Sequence, residues 1–126
     1  MISYLKTALI LLALAVVLGA FGTHAWSDTL GDKMYVFKTA IQYHFIHSLG
    51  IILLVILGNT YDLDMKNAAL FLLLGVIGFS GSLYFLAFPS FLPAFAFKIL
   101  GPITPIGGLF FILGWSAAAL KFFKKK

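Results

Sequence analysis

Long apolar runs separated by short polar breaks set the rhythm of this chain. Ala8 to Gly22 contains no polar side chain, and Leu49 to Leu57 is equally unbroken. A helix needs about 20 predominantly apolar residues to cross a bilayer. Four such spans can be drawn, over about 4–25, 35–57, 67–88 and 104–122. The expected fold class is all-α: a polytopic membrane protein, one membrane domain over 1–126 folded as a compact bundle of four transmembrane helices. A polar loop from Gly58 to Lys66 offers Asp62 and Asp64 as helix-start acids. A Pro- and Phe-rich connector with Pro89, Pro93 and Pro102 leads through Thr104 and Pro105 into the last span. Proline suits a helix start, where its missing N–H would be unpaired anyway.

The first run has a rival reading as a signal peptide, since Lys6, an apolar core and small residues at Thr23 and Ala25 would suit cleavage after Ala25. Against that, Ala15, Gly19 and Thr23 repeat at a four-residue spacing that packs membrane helices together. A discarded peptide has no use for it.

The polar positions inside the spans are unevenly placed. The second span carries Gln42, Tyr43, His44 and His47 in its first half, the third closes with Ser80, Ser82 and Tyr84, and the fourth opens with Thr104, Gly107 and Gly108. Because successive spans run in opposite directions, all of these converge with His24 toward one end of the bundle. Lysine bias orients that end: Lys6, Lys66, Lys121, Lys124, Lys125 and Lys126 fall on one side, Lys33, Lys38 and Lys98 on the other. The richer side is expected in the cytoplasm. Both termini would then be cytoplasmic and the polar cluster would lie in the outer leaflet. Trp26, Tyr35 and Tyr84 would mark the outer interface, with Tyr4, Tyr61, Phe122 and Phe123 at the inner one.

Composition adds limits. The 126 residues are 62% hydrophobic and 10% charged with a mean hydropathy of +1.06, whereas soluble proteins have roughly a quarter of their residues charged. The net charge of +5 has its largest cluster, Lys121, Lys124, Lys125 and Lys126, at the end of an apolar run, where it suits a helix stop beside anionic headgroups and not a nucleic-acid face. There is no arginine to fork a phosphate and no cysteine for a disulfide or a soft metal.

Four chemistries compete for the cluster. Tyr43, His44 and His47 share one helix face and Gln42 shares another with Lys38. The favoured reading is structural: interhelical hydrogen bonds to Ser80, Ser82 and Tyr84, each worth about 0.6 kcal/mol and rarely above about 1.7 kcal/mol. A metal or haem site would draw three imidazoles from His24, His44 and His47. No carboxylate lies within a span, Asp28 and Asp32 being in the loop after His24, so neither a resident metal nor another cofactor is expected. A proton-coupled transporter could use histidine titration, yet four helices would need an oligomer to form a pathway. A lipid or quinone groove, or a docking surface for a larger complex, is the fourth.

Gly19, Gly22, Gly75, Gly78 and Gly81 are not phosphate loops, because no Gly-Lys-Ser/Thr follows them. With Gly107 and Gly108 they are expected to pack helices. Asn59, Asp62, Asp64 and Asn67 lack the glycine and bidentate glutamate of a calcium loop, and no serine sits in a nucleophile elbow. The expected role is therefore non-enzymatic, a membrane scaffold or accessory subunit. The expected partners are the lipid bilayer and, as an open alternative, a homo-oligomer or larger membrane complex, with no nucleic acid.

Four blocks in order carry a family resemblance: Gly19-Ala20-Phe21-Gly22-Thr23-His24-Ala25, Thr39 to Leu49, Phe79-Ser80-Gly81-Ser82-Leu83-Tyr84, and Pro105-Ile106-Gly107-Gly108 with Gly114-Trp115. The chain resembles the small membrane proteins called domain of unknown function 423, akin to transmembrane protein 256. Nearly the whole chain is covered. The resemblance implies a four-helix inner-membrane protein of unassigned biochemical role and supplies no catalytic residue. Thr23 stands where alanine is expected, a small-for-small change.

Overall fold

The computed structural model describes residues 1–124, so Lys125 and Lys126, counted above among the inner-side lysines, lie outside the described residues. The apolar runs become helices because lipid offers no water to backbone polar groups, so each must be bonded within its own segment. Helix α1 spans Ile2–Thr23, and a short α2, Ser27–Leu30, leads through a 3₁₀ turn at Gly31–Lys33 into α3, Met34–Tyr61. The third crossing is composite: α4, Lys66–Gly75, a π-helical turn at Val76–Ser80, and α5, Gly81–Leu86. A 3₁₀ turn at Pro89–Phe91 precedes α6, Ala94–Lys124. The described residues thus form an all-helical protein with four helices long and apolar enough to cross a membrane.

The two loop acids do different work. Asp62 takes a left-handed conformation (φ 50°) at the C-terminus of α3, where its own N–H and that of Leu63 return to the Gly58 carbonyl. It closes one helix instead of starting the next. Asp64, just before α4, accepts the backbone N–H of Lys66 at 3.1 Å and so satisfies one of the donors left unpaired at that helix start.

Helix α6 starts well before the expected 104 and keeps Pro102 and Pro105 in its interior. Each proline removes one i→i−4 bond, to the carbonyls of Lys98 and Gly101, and the rest of the ladder persists. Unwinding would expose many more backbone groups to hydrocarbon, which is why proline is tolerated in membrane helices more readily than in soluble ones.

Helix α1 packs on α3, and the composite third crossing lies against both α3 and α6. The seam of α1 is Ala8, Ala15 and Gly22, each buried and seven residues apart, with the Phe37 ring seated against Gly22. Gly19 lies beside that seam at ordinary contact with Ile41, and the Thr23 hydroxyl returns to the Gly19 carbonyl at 2.9 Å. The seam therefore repeats every seven residues, not every four. At the end holding Met1 and Lys124 the core gathers around Ile51, Leu54, Leu72 and Phe111, with Met1 and Tyr4 against it. At the other end Leu30, Phe37 and Ala87 are joined by Trp26, Tyr84 and Phe88.

The tightest contact joins the third crossing to α6. A methyl on Gly78 would stand 3.2 Å from the Gly107 Cα, and one on Gly107 would run into the backbone nitrogen of Phe79. Around this contact, the Phe111 ring covers Gly75, Leu72 fills the space over Gly114 and Trp115 lies over Gly50. Gly81 and Gly108 meet neighbours only at 4.0 and 3.7 Å, so they do not mark a close approach.

Replacing Gly107 with alanine, or Gly78 with leucine, should therefore overpack a backbone contact and destabilise the bundle by about 1–3 kcal/mol. Gly101, also in α6, has no neighbour within 4 Å, and Gly101→Ala should be neutral or stabilise by up to about 1 kcal/mol through helix propensity. Thermal unfolding of the three variants in one detergent checks both.

Candidate functional site

The polar residues of α3 divide between two neighbouring helices. His44, 2% exposed, turns toward α5, where its Nδ1 lies 2.9 Å from the Tyr84 hydroxyl. His47, 6% exposed, makes a 2.8 Å hydrogen bond from Nδ1 to the Tyr43 carbonyl one turn earlier. A carbonyl can only accept, so Nδ1 carries the proton and Nε2 of the neutral ring is an acceptor. The same ring stacks on Phe111 of α6, centroids 3.4 Å apart and planes 14° apart.

Ser82 faces the other way from Tyr84, as a two-residue step on a helix requires. Its hydroxyl meets that of Thr104 on α6 at 2.6 Å. One of the two donates to the other, and the remaining proton goes to a helix carbonyl, Phe79 at 3.0 Å or Leu100 at 3.3 Å. The third crossing is thus tied to α3 by Tyr84 and to α6 by Ser82. Among the described residues, His44 Nε2, Ser48 Oγ and Ser80 Oγ are buried with no partner in hydrogen-bond geometry. Ser48 follows His44 by one turn and Ser80 precedes Tyr84 by one turn, so the buried polar positions continue inward along the contact between α3 and the third crossing.

Two residues expected in the cluster stand outside it. His24 ends α1 with its side chain exposed, and Gln42 is exposed on a different face of α3, lining a shallow groove with Lys38 and Thr23. A two-residue separation puts Gln42 on the far side of the helix from His44. The three-imidazole arrangement is not assembled, and among the described residues no group of three His, Asp or Glu is placed to hold a metal ion.

Each buried histidine borders a cavity. One of about 460 Å³ is walled by Leu11, Leu14 and Leu18 of α1 together with His44, Ser82 and Tyr84. The larger, about 650 Å³, lies between α3, the π turn and α6 and is lined by Tyr43, His47, Phe79, Phe111 and Trp115. Sequence reasoning missed Ser48, Phe111 and Trp115 as members of the site. The i+4 step from His44 points to Ser48, and the run Gly107, Phe111, Gly114, Ala118 at steps of four, three and four marks the buried face of α6.

Residues 18–108 match the family described as Protein of unknown function (DUF423). The chain is similar to a UPF0382 membrane protein of Staphylococcus haemolyticus, 43% identical over 107 residues that cover 84% of this chain and 83% of the relative. It is 38% identical over 105 residues to the UPF0382 membrane protein YwdK of Bacillus subtilis, covering 81% and 80%. It is 40% identical over 103 residues to the UPF0382 inner membrane protein YgdD of Escherichia coli, covering 80% and 74%. No solved structure matches the chain.

Removing the Tyr84 hydroxyl should leave His44 Nδ1 unpaired, so Tyr84→Phe is expected to destabilise the bundle by about 0.6–1.7 kcal/mol. Tyr35, 67% exposed, is the matched control: Tyr35→Phe should stay within about 0.5 kcal/mol of the parent. Thermal or chemical unfolding in detergent separates the two.

Proposed function

The chain belongs to the DUF423 family, whose relatives are UPF0382 membrane proteins, and from that premise we propose a non-enzymatic multi-pass protein of the inner or plasma membrane, a scaffold or accessory subunit with both termini in the cytoplasm. The observation that supports the role is how the polar side chains of the spans are used. His44 with Tyr84 joins the second crossing to the third, and Ser82 with Thr104 joins the third to the fourth. An unbonded polar group in hydrocarbon costs several kcal/mol, so such groups are stable there mainly as links between helices. A bundle held in this way suits a fixed architectural part, alone, as a homo-oligomer or within a larger membrane complex.

The orientation follows from charge. Lys6, Lys66, Lys121 and Lys124 belong to the end that holds the termini and the Asp62–Asp64 loop, while Lys33, Lys38 and Lys98 belong to the other. Lysine near span ends favours the cytoplasmic face. A reporter fused to the C-terminus should therefore read as cytoplasmic and one inserted between Thr29 and Gly31 as external. Both on the same side would remove the four-crossing orientation.

A second experiment addresses the role of His44. Glutamine can still meet the Tyr84 hydroxyl, whereas alanine leaves it unpaired and opens a cavity. His44→Gln should retain thermostability and complement a deletion strain in any growth condition where the parent does, with His44→Ala losing about 2 kcal/mol or more. A His44→Gln variant that is stable but fails to complement would show that the imidazole does chemistry and would end the scaffold reading.

A further inference from the structure

Beside His47 the second and fourth crossings diverge around the π turn and leave the cavity of about 650 Å³. Its walls are unusual for a contact with acyl chains. His47 lies stacked on Phe111 with planes 14° apart, and the Tyr43 ring beside them is tilted 16° from His47 and 29° from Phe111. Phe79 lies 4.5 Å from Tyr43 and Trp115 lies 6.3 Å from His47. Pro105 and Gly108 of α6 also line the space and put little side chain into it. Phe79 itself belongs to the π turn, a rare element that recurs at functional sites.

The polar groups at this wall have defined chemistry. With Nδ1 bound to the Tyr43 carbonyl, His47 offers Nε2 as an acceptor, and among the described residues that atom has no hydrogen-bond partner and is not sealed from the surface. Ser116 also lines the cavity, and its hydroxyl makes no hydrogen bond among the described residues. Leu109 and Ile112, both exposed, form the rim, so the cavity opens on the surface that faces lipid. An acyl chain would fill the volume but leave the imidazole acceptor and the hydroxyl unpaired. A flat hydroxylated ring would stack at 4.5–7 Å between centroids, as aromatic pairs prefer, donate an O–H to His47 Nε2 and let a tail leave past Ile112.

We propose that this cavity binds the head group of a lipid-soluble hydroquinone, held by stacking against the Tyr43, Phe79 and Trp115 rings of the wall and by an O–H donated to His47 Nε2, whose lone pair lies in the plane of the imidazole. The proposal goes beyond the scaffold role, concerns binding alone, and uses a histidine that the His44 experiment leaves untouched.

The test uses the full chain in lipid nanodiscs with Trp26→Phe, which leaves Trp115 as the sole tryptophan. The probe is a decyl-substituted benzohydroquinone kept reduced, with Trp115 quenching as the readout. Quenching should saturate, and the dimethyl ether of the same compound, which keeps the ring but has no O–H, should bind at least tenfold more weakly. His47→Phe, which preserves stacking on Phe111, should weaken the hydroquinone at least tenfold. Ile112→Phe, an exposed position where a larger side chain narrows the mouth without disturbing the core, should do the same with an unchanged Tm. Dodecanol should not displace the probe. Quenching that rises linearly with partitioning, equal binding of the ether, unchanged affinity in Ile112→Phe, or displacement by dodecanol at equal concentration would each overturn the proposal, the last by identifying the cavity as an acyl-chain groove.

Discussion

The structure depends on a place where two helices touch with no side chain between them. Gly78 in the π turn and Gly107 in α6 bring backbone against backbone, and that approach sets the rotation and height of α6. Everything else on the interface follows from it. Phe111, one turn further along α6, is carried over Gly75, Gly114 receives Leu72, and Thr104, one turn back, meets Ser82 at 2.6 Å. In lipid there is no hydrophobic gain in pressing apolar helices together, so close packing and a few hydrogen bonds must do the work that burial does in water.

The π turn is the local device that makes this geometry compatible with the opposite interface. Over a regular helix, residues 78 and 82 share one face with a fixed offset from 80 and 84. The wider turn at Val76–Ser80 shifts that offset just where the crossing must serve two neighbours, with Tyr84 toward α3 and Gly78 and Ser82 toward α6. The same widening leaves Phe79 beside Tyr43 at 4.5 Å, which is why the aromatic wall lies next to the glycine contact and not elsewhere along the bundle.

The crossings were legible because the solvent decides them: an apolar run in hydrocarbon has to be helical, whatever its local propensities. Small residues such as Gly75, Gly78 and Gly107 could be singled out for the same reason. Which glycine meets which could not, since pairing depends on helix rotation, and the heptad seam Ala8, Ala15, Gly22 was hidden by the more familiar spacing of Ala15, Gly19 and Thr23. Counting polar residues located one end of the bundle but not the direction each side chain takes, so His24 and Gln42 were grouped with residues they do not touch. The helix of the last span runs back to Ala94 because Pro102 and Pro105, which read from sequence as suiting a helix start, stand inside it, where in hydrocarbon unwinding would free more backbone groups than the two missing bonds do. The aromatic cavity left no periodic trace, as phenylalanine is spread over the whole chain and Tyr43 and Phe111 lie on helices far apart in sequence.

The unbroken course of α6 through its two prolines has a consequence for how deep the molecule sits. At 1.5 Å per residue, Lys98 and Lys121 are separated along the axis by about 34 Å, close to the roughly 30 Å thickness of the hydrocarbon layer. Had the helix begun after Pro102, Lys98 would sit on a connector free to adjust to any bilayer. On a continuous rod the two ammonium groups form a fixed gauge, each able to reach its own headgroup layer with modest tilt or snorkelling. A thinner membrane would force the rod to lean, a thicker one to stretch its lysines outward toward the headgroups, so the unbroken helix ties the protein's comfort to one range of membrane thickness.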